Sequence, residues 1–121
     1  MDPQGQVAVL VADDDAALRL LCRVNLELEG YRVLEATSAA EVERALADQS
    51  VRGVLLDVHL GMDNGLDVAK AIRSSHPGVG IALFTGSMER SADWHSVAEG
   101  FLAKPFTLED LSATVRRLVQ A

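Results

Sequence analysis

Short, continuously apolar runs alternate along this chain with stretches in which apolar residues recur every three or four positions. The first run, "VAVLVA" (7–12), has the unbroken character of a strand covered on both faces. Residues 15–29 follow with helical spacing, which predicts a helix with Leu18, Leu21, Val24 and Leu28 on one face, Arg19, Arg23 and Glu27 on another, and Gly30 as its stop. "YRVLEA" (31–36) mixes polar and apolar positions, as a strand nearer a sheet edge does. Ser38 with Glu41 then forms a capping box for a helix reaching about Asp48. "VRGVLLD" (51–57) is a third strand, and Gly65 to Ser75 a helix around Leu66, Ala69 and Ile72, closed by Pro77 and Gly78. "GIALFT" (80–85) is the fourth strand, followed by a helix within 88–98 and a short strand "FLA" (101–103). Thr107 and Asp110 cap a final helix carrying Leu108, Leu111, Val115 and Leu118, which Arg116 and Arg117 close where its dipole favours cations.

Five strand–helix units of about 20–25 residues predict an α/β fold: a doubly wound five-stranded parallel sheet with helices on both faces. At 121 residues the chain holds one domain, 7–121, behind a short N-terminal tail, 1–6. A composition of 49% hydrophobic and 24% charged residues excludes disordered, collagen-like and membrane classes. The net charge of −7 opposes direct nucleic-acid or anionic-lipid binding and suits a metal cation or a basic partner. Cys22, the lone cysteine, sits among leucines and reads as a buried reduced thiol. The opening "MDPQGQ" lacks the flank and apolar core of a secretory signal, and no apolar run approaches the length of a membrane span, so a cytoplasmic location is expected.

In an open parallel sheet, ligands sit beyond the carboxyl ends of the strands, where strand order reverses. The residues at those ends are Asp13 with Asp14, Asp57, Thr85 and Lys104. With strands one and three adjacent at the reversal, three carboxylates converge. Two like charges about 4 Å apart repel by about 4 kcal/mol at an effective dielectric of 20, so the cluster calls for protonation or a cation. Magnesium, which takes one or two carboxylates, keeps several waters and accepts phosphate oxygens, suits such an open, oxygen-rich site. Lys104 supplies a further positive charge.

The segments "VLVADDD", "LLDVHLGMDNGLDV", "LFTG" and "FLAKPF", in that order, resemble the receiver domain of two-component response regulators of the chemotaxis-regulator kind. The resemblance implies a flavodoxin-like strand order 2-1-3-4-5. It implies that Asp57 accepts a phosphoryl group from a sensor histidine kinase or a histidine phosphotransfer protein. It places Mg²⁺ on Asp13, Asp14, Asp57 and the backbone carbonyl of His59, and sets Thr85 and Lys104 against the phosphoryl oxygens. It further implies that Phe101, three residues before the lysine, responds to movement of Thr85, by packing alone since it lacks a hydroxyl. The Lys104–Pro105 bond is commonly cis in such proteins. A signalling module rather than an enzyme is expected, with homodimer formation through the fourth-helix face as one option.

Other readings stand beside these. Asp14 or Asp15 can cap the first helix. Asp63 and Asp67 are expected to face solvent, the His59 side chain to occupy a variable loop position, and Trp94 to lie partly in the core. Gly61 stands where the family often has proline, and Gly86 where alanine is usual, which predicts looser loops. The short interval from Thr85 to Lys104 predicts a clipped fourth helix. A Mg²⁺-dependent haloacid-dehalogenase-type phosphohydrolase is the alternative function: Asp13 and Asp15 have its spacing, while Ala17 stands where it needs threonine and no cap domain fits. A flavodoxin-like cofactor carrier would need a phosphate-cradling loop after the first strand, and the acidic run replaces it. Only Ala121 follows the last helix, so a stand-alone regulator or a piece of a longer one is expected.

Overall fold

The computed structural model describes residues 6–85 and 96–120. Five strands form one parallel sheet: β1 (Ala8–Ala12), β2 (Arg32–Ala36), β3 (Val51–Asp57), β6 (Gly80–Thr85) and β7 (Gly100–Ala103), in the order β2-β1-β3-β6-β7. Counting only the strands of this sheet, that is the expected 2-1-3-4-5 order. The chain winds from β1 outward to β2 and then from β3 outward through β6 to β7, so the reversal falls between β1 and β3. Among the described residues four helices flank the sheet: α1 (Ala16–Leu28), α2 (Ala39–Ala45), α3 (Gly65–Ser75) and α4 (Leu108–Gln120). Among the described residues no helix is long and apolar enough to cross a membrane.

Alternation along the strands splits the core in two. Ala8, Leu10 and Ala12 of β1 pack with Val54 and Leu56 of β3 beneath Val42 of α2 and Val68 and Ile72 of α3. Val9, Val11, Leu55 and Phe84 point the other way, against Cys22 and Leu26 of α1 and Leu111, Val115 and Leu118 of α4. The central strands β1, β3 and β6 are buried on both faces except at Arg52, which explains their nearly uninterrupted apolar sequence.

The buried face of α1 departs from the predicted one. Cys22 and Leu26 are the buried positions, with Leu18 packed beside them, whereas Leu21, Val24 and Leu28 are 44%, 47% and 81% exposed. The stripe that meets the sheet is therefore 18-22-26, and apolar residues on both sides of the helix made the other stripe look equivalent. On α4, Leu108 likewise lies outside the buried face, and Thr114 lies within it.

Caps fix the helix starts. Asp15, not Asp14, caps α1, accepting from the amides of Ala17 and Leu18 at 3.0 and 3.3 Å. Ser38 accepts from the Glu41 amide at 3.2 Å, but the Glu41 carboxylate reaches past it to the amide and hydroxyl of Thr37, at 2.6 and 2.7 Å. The α2 helix stops at Ala45, short of Asp48, whose carboxylate instead binds Arg32 and the Ser50 amide. Thr107 and Asp110 form the expected reciprocal box at the start of α4.

Between β3 and α3 the chain forms a two-stranded antiparallel ribbon, β4 (His59–Leu60) and β5 (Asp63–Asn64), which the sequence pattern did not predict. Gly61 in its turn has φ +58°, a conformation that proline, locked near about −65°, cannot adopt. Glycine here serves a specific left-handed turn rather than a loose loop. Asp63, expected in solvent, is partly buried and accepts from the Ala39 amide at 2.8 Å, which ties the ribbon to the start of α2. Asp67 is exposed, as expected. At the other end of α3, Arg73 donates to the carbonyls of Pro77, Val79 and Val97 and to both carboxylate oxygens of Glu99. Glu99 in turn accepts from the Ile81 amide at 2.7 Å, so this clamp secures the approach to β7. Ser96 and Val97 form a turn; the remainder of the predicted fourth helix, with Gly86 and Trp94, lies outside the described residues.

Gly65 opens α3 directly against the end of β3. A Cβ there would collide with the Asp57 carbonyl oxygen and come within 2.8 Å of the Val58 carbonyl oxygen, both backbone atoms with little freedom to yield. Gly65→Ala is therefore expected to destabilise the domain by about 1–3 kcal/mol, lowering Tm by roughly 4 °C per kcal/mol. A circular-dichroism melt checks it, with Gly78→Ala, where nothing lies within 4 Å, as the control expected to melt with the wild type.

Candidate functional site

Strand register brings the acidic residues together. β1 and β3 pair through Ala12 and Leu56, so the next residue of each, Asp13 and Asp57, emerges beside the other. Asp13 is fully buried and Asp57 nearly so, whereas Asp14 is exposed. One carboxylate oxygen from each of Asp13, Asp14 and Asp57 lies within 4.8 Å of the others, so the predicted convergence is present.

Each buried carboxylate is held on both oxygens. Asp13 Oδ1 accepts from the Asp15 amide at 2.8 Å, and Oδ2 accepts from Lys104 Nζ at 3.0 Å. Asp57 Oδ1 accepts from the His59 amide at 3.1 Å, while Lys104 Nζ stands 3.6 Å from Oδ2. The His59 side chain is exposed, and its amide faces the cluster.

Lys104 reaches the site from the end of β7, across the sheet from β1. Its amide donates to the Thr85 carbonyl at 2.9 Å, and its ammonium lies 5.3 Å from the centroid of the Phe84 ring, which stacks on Phe106. The Lys104–Pro105 peptide is cis, as the resemblance implied. Thr85 ends β6 with its side chain buried, and among the described residues its Oγ1 is a buried polar atom with no hydrogen-bond partner. Such orphaned hydroxyls are uncommon in protein interiors. Phe101 is partly buried in β7, paired across the ladder with Leu83 and packed against the cluster beneath α2 and α3.

Among the described residues the charges of the cluster do not balance. Burial raises the Asp13 pKa above its ordinary value, and the Asp57 charge adds to this, against the opposing Asp15 amide and Lys104 ammonium. For Lys104 burial acts to lower the pKa, but its hydrogen bond to Asp13 and the charges of Asp13 and Asp57 outweigh it and the net shift is upward. Burial, with help from Asp13, pushes the Cys22 thiol up to about 12, so the predicted reduced cysteine is an inert core residue. Among the described residues one ammonium, that of Lys104, meets the carboxylates of Asp13 and Asp57. All the donors are oxygens, and the exposed Asp14 leaves one side open, a set suited to a hard divalent cation that retains water.

A cleft of about 450 Å³ lined by Asp48, Arg52 and His76 lies at the opposite end of the sheet and includes none of these residues. Two contributors escaped the sequence reading. Arg19, assigned to the polar face of the first helix, donates from Nη1 to the Asp13 carbonyl at 2.8 Å, and Gly65 leaves room for the backbone at Asp57. A periodicity argument sees the face a residue occupies but not a bond back to the loop before its helix.

Comparison with known proteins agrees with this geometry. A family model described as "Response regulator receiver domain" matches residues 9–116. The chain is 35% identical over 117 residues to the response regulator MprA of Mycobacterium sp. strain KMS, covering 94% of this chain and 51% of that protein. It is 34% identical to MprA of Mycobacterium ulcerans strain Agy99, covering 94% and 50%. The chain thus spans about half the length of the curated relatives it matches. Among solved structures, the receiver domain of NtrX from Brucella abortus superimposes with a TM-score of 0.86 at 26% identity, covering 93% of this chain and 98% of that one. A CheY-like response regulator receiver domain protein from Methanospirillum hungatei JF-1 gives 0.87 at 25% identity, covering 96% and 95%. The order of the strands, the acidic groups gathered at their ends and the match along nearly the whole chain have one reading: it belongs to the response regulator receiver domains of two-component systems.

Proposed function

We propose that Asp57 is the phosphoacceptor of this receiver domain and that Asp13, Asp14, Asp57 and the His59 backbone carbonyl hold Mg²⁺ beside it. The observation that carries the reading is the meeting of a buried carboxylate with two further carboxylates, a lysine ammonium and a buried hydroxyl that has no hydrogen-bond partner among the described residues, at one strand-end surface. Asp57 attacks the phosphorus of a phosphohistidine on a sensor histidine kinase or histidine phosphotransfer protein. The new bond is O–P, the bond that breaks is N–P, and the departing imidazole takes up a proton. Phosphoryl transfer asks mainly for positioning and charge neutralisation. Bound Mg²⁺ supplies the latter by screening the incoming phosphoryl oxygens from the carboxylates. Lys104, 3.6 Å from Asp57 Oδ2, is placed to pair with another of those oxygens, and the Thr85 hydroxyl to donate to a third.

The product is a signalling state of the protein itself, so the domain acts as a switch and not as an enzyme on an external substrate. Thr85 and Phe101 lie on adjacent strands, and a hydroxyl drawn toward a phosphoryl group frees packing space that only an apolar ring fills here. The acidic surface opposes direct contact with nucleic acid. Homodimer formation through the fourth-helix face falls on residues outside those described. The phosphohydrolase alternative loses its second aspartate, because the Asp15 carboxylate is engaged in capping α1.

Incubation with Mg²⁺ and a small acyl phosphate is expected to add one phosphate, labile to hydroxylamine and absent in Asp57→Asn, as read by intact-mass spectrometry; undiminished labelling of that variant would overturn the assignment. A second expectation concerns stability. The folded pKa of Asp13 lies above its unfolded value, so its ionised form weakens the fold, and the metal-free protein gains stability as pH falls through the folded pKa. Asp13→Asn is therefore expected to melt above the wild type at pH 7 without metal. Mg²⁺ at ten times its Kd is expected to stabilise the wild type by about 1.4 kcal/mol, roughly 6 °C, and to leave Asp13→Asn unmoved. Scanning calorimetry with and without Mg²⁺ decides both points.

A further inference from the structure

A second cation reaches the acidic cluster through the backbone. Arg19 Nη1 donates to the Asp13 carbonyl at 2.8 Å and its Nε to Glu35 Oε1 at 2.9 Å, and the side chain is only 16% exposed. Asp13 is thereby bound at every polar atom: its amide to the Ala36 carbonyl, its carboxylate to the Asp15 amide and Lys104, and its carbonyl to Arg19. The Asp13 carbonyl belongs to the planar peptide unit that leads into Asp14. Fixing that oxygen fixes the plane from which Asp14 departs. The Asp14 carboxylate is exposed and has no hydrogen bond to hold it among the described residues, so its aim at Asp57 depends on this peptide.

Resting on the metal-binding reading above, we infer that Arg19 is a positioning residue for Mg²⁺: braced by Glu35, it holds the Asp13–Asp14 peptide in the orientation that directs both carboxylates to one ion. The residue type fits the task. A guanidinium makes both bonds at once from a rigid fork, whereas a lysine ammonium lacks that planar geometry. Glu35 in turn accepts from Arg23 Nη1 at 2.9 Å, but Arg23 has no bond to Asp13 and lies half-exposed.

The test separates positioning from a merely structural strap. Mg²⁺ is titrated into the wild type, Arg19→Lys, Arg19→Ala and Arg23→Ala by isothermal calorimetry without any phosphodonor, and labelling by a small acyl phosphate is followed across Mg²⁺ concentrations. Both Arg19 variants are expected to bind Mg²⁺ about tenfold or more weakly, in the range found when hydrogen-bond partners of metal ligands are removed. Their labelling rate at saturating Mg²⁺ is expected within twofold of the wild type, and Arg23→Ala is expected to match the wild type throughout. Wild-type Mg²⁺ affinity in Arg19→Lys and Arg19→Ala, or an equal loss in Arg23→Ala, would overturn the inference while leaving the proposed function intact. A wild-type protein that binds no Mg²⁺ would overturn the metal reading itself.

Discussion

The fold is organised around an unfavourable contact: two buried aspartates at the ends of adjacent parallel strands, with a third carboxylate beside them. Parallel pairing makes the contact unavoidable, because register through Ala12 and Leu56 leaves Asp13 and Asp57 no separate exits. Much of the nearby structure answers it. The amides of Asp15 and His59 each donate to one carboxylate, and Lys104 is brought from the far side of the sheet to stand between them. Hydrogen bonds to the charged form favour ionisation and burial opposes it; at Asp13 burial prevails.

That imbalance is what would make the site respond to a ligand. A fully compensated cluster would gain little from a cation or a phosphoryl group. An added cation would bring positive charge to the carboxylates, and a phosphoryl group would bring an acceptor to the Thr85 hydroxyl, which has no hydrogen-bond partner among the described residues. The sheet around them stays put: β1, β3 and β6 are buried on both faces, and Gly65 lets α3 close directly on the backbone of Asp57. A rigid frame with unsatisfied groups at one end confines any change to the loops and to the edge strand β7.

Much of this was legible in the sequence because the strongest signals were physical ones. Continuous apolar runs marked the central strands, and the residues interrupting them at their carboxyl ends are those of the candidate site. The extent of α3, Gly65 to Ser75, followed from its apolar spacing and the Pro77–Gly78 stop. What stayed hidden depended on distances that one-dimensional patterns do not carry. The face of α1 was misread because Leu21, Val24 and Leu28 have the same spacing as the stripe that docks, and only the sheet decides between them. The ribbon of β4 and β5 is too short for any periodicity, and Asp63 gains its partner from a residue 24 positions away.

Arg19 shows most clearly why a polar face should not be equated with a solvated one. Its position on α1 is dictated by helical geometry, yet its guanidinium turns back over the helix start to a carbonyl on the preceding loop. The same helix that presents Arg19 is capped by Asp15, whose amide in turn holds Asp13. The start of α1 and the aim of the acidic pair are thus one hydrogen-bonded unit. Displacement of α1 along its axis would turn the Asp13–Asp14 peptide, and a change in the charge held by the carboxylates would act on the helix in reverse. Coupling of this kind needs no hinge. It requires only that the residues capping a helix and those lining a charged site belong to the same few peptide units, as residues 13–19 do here.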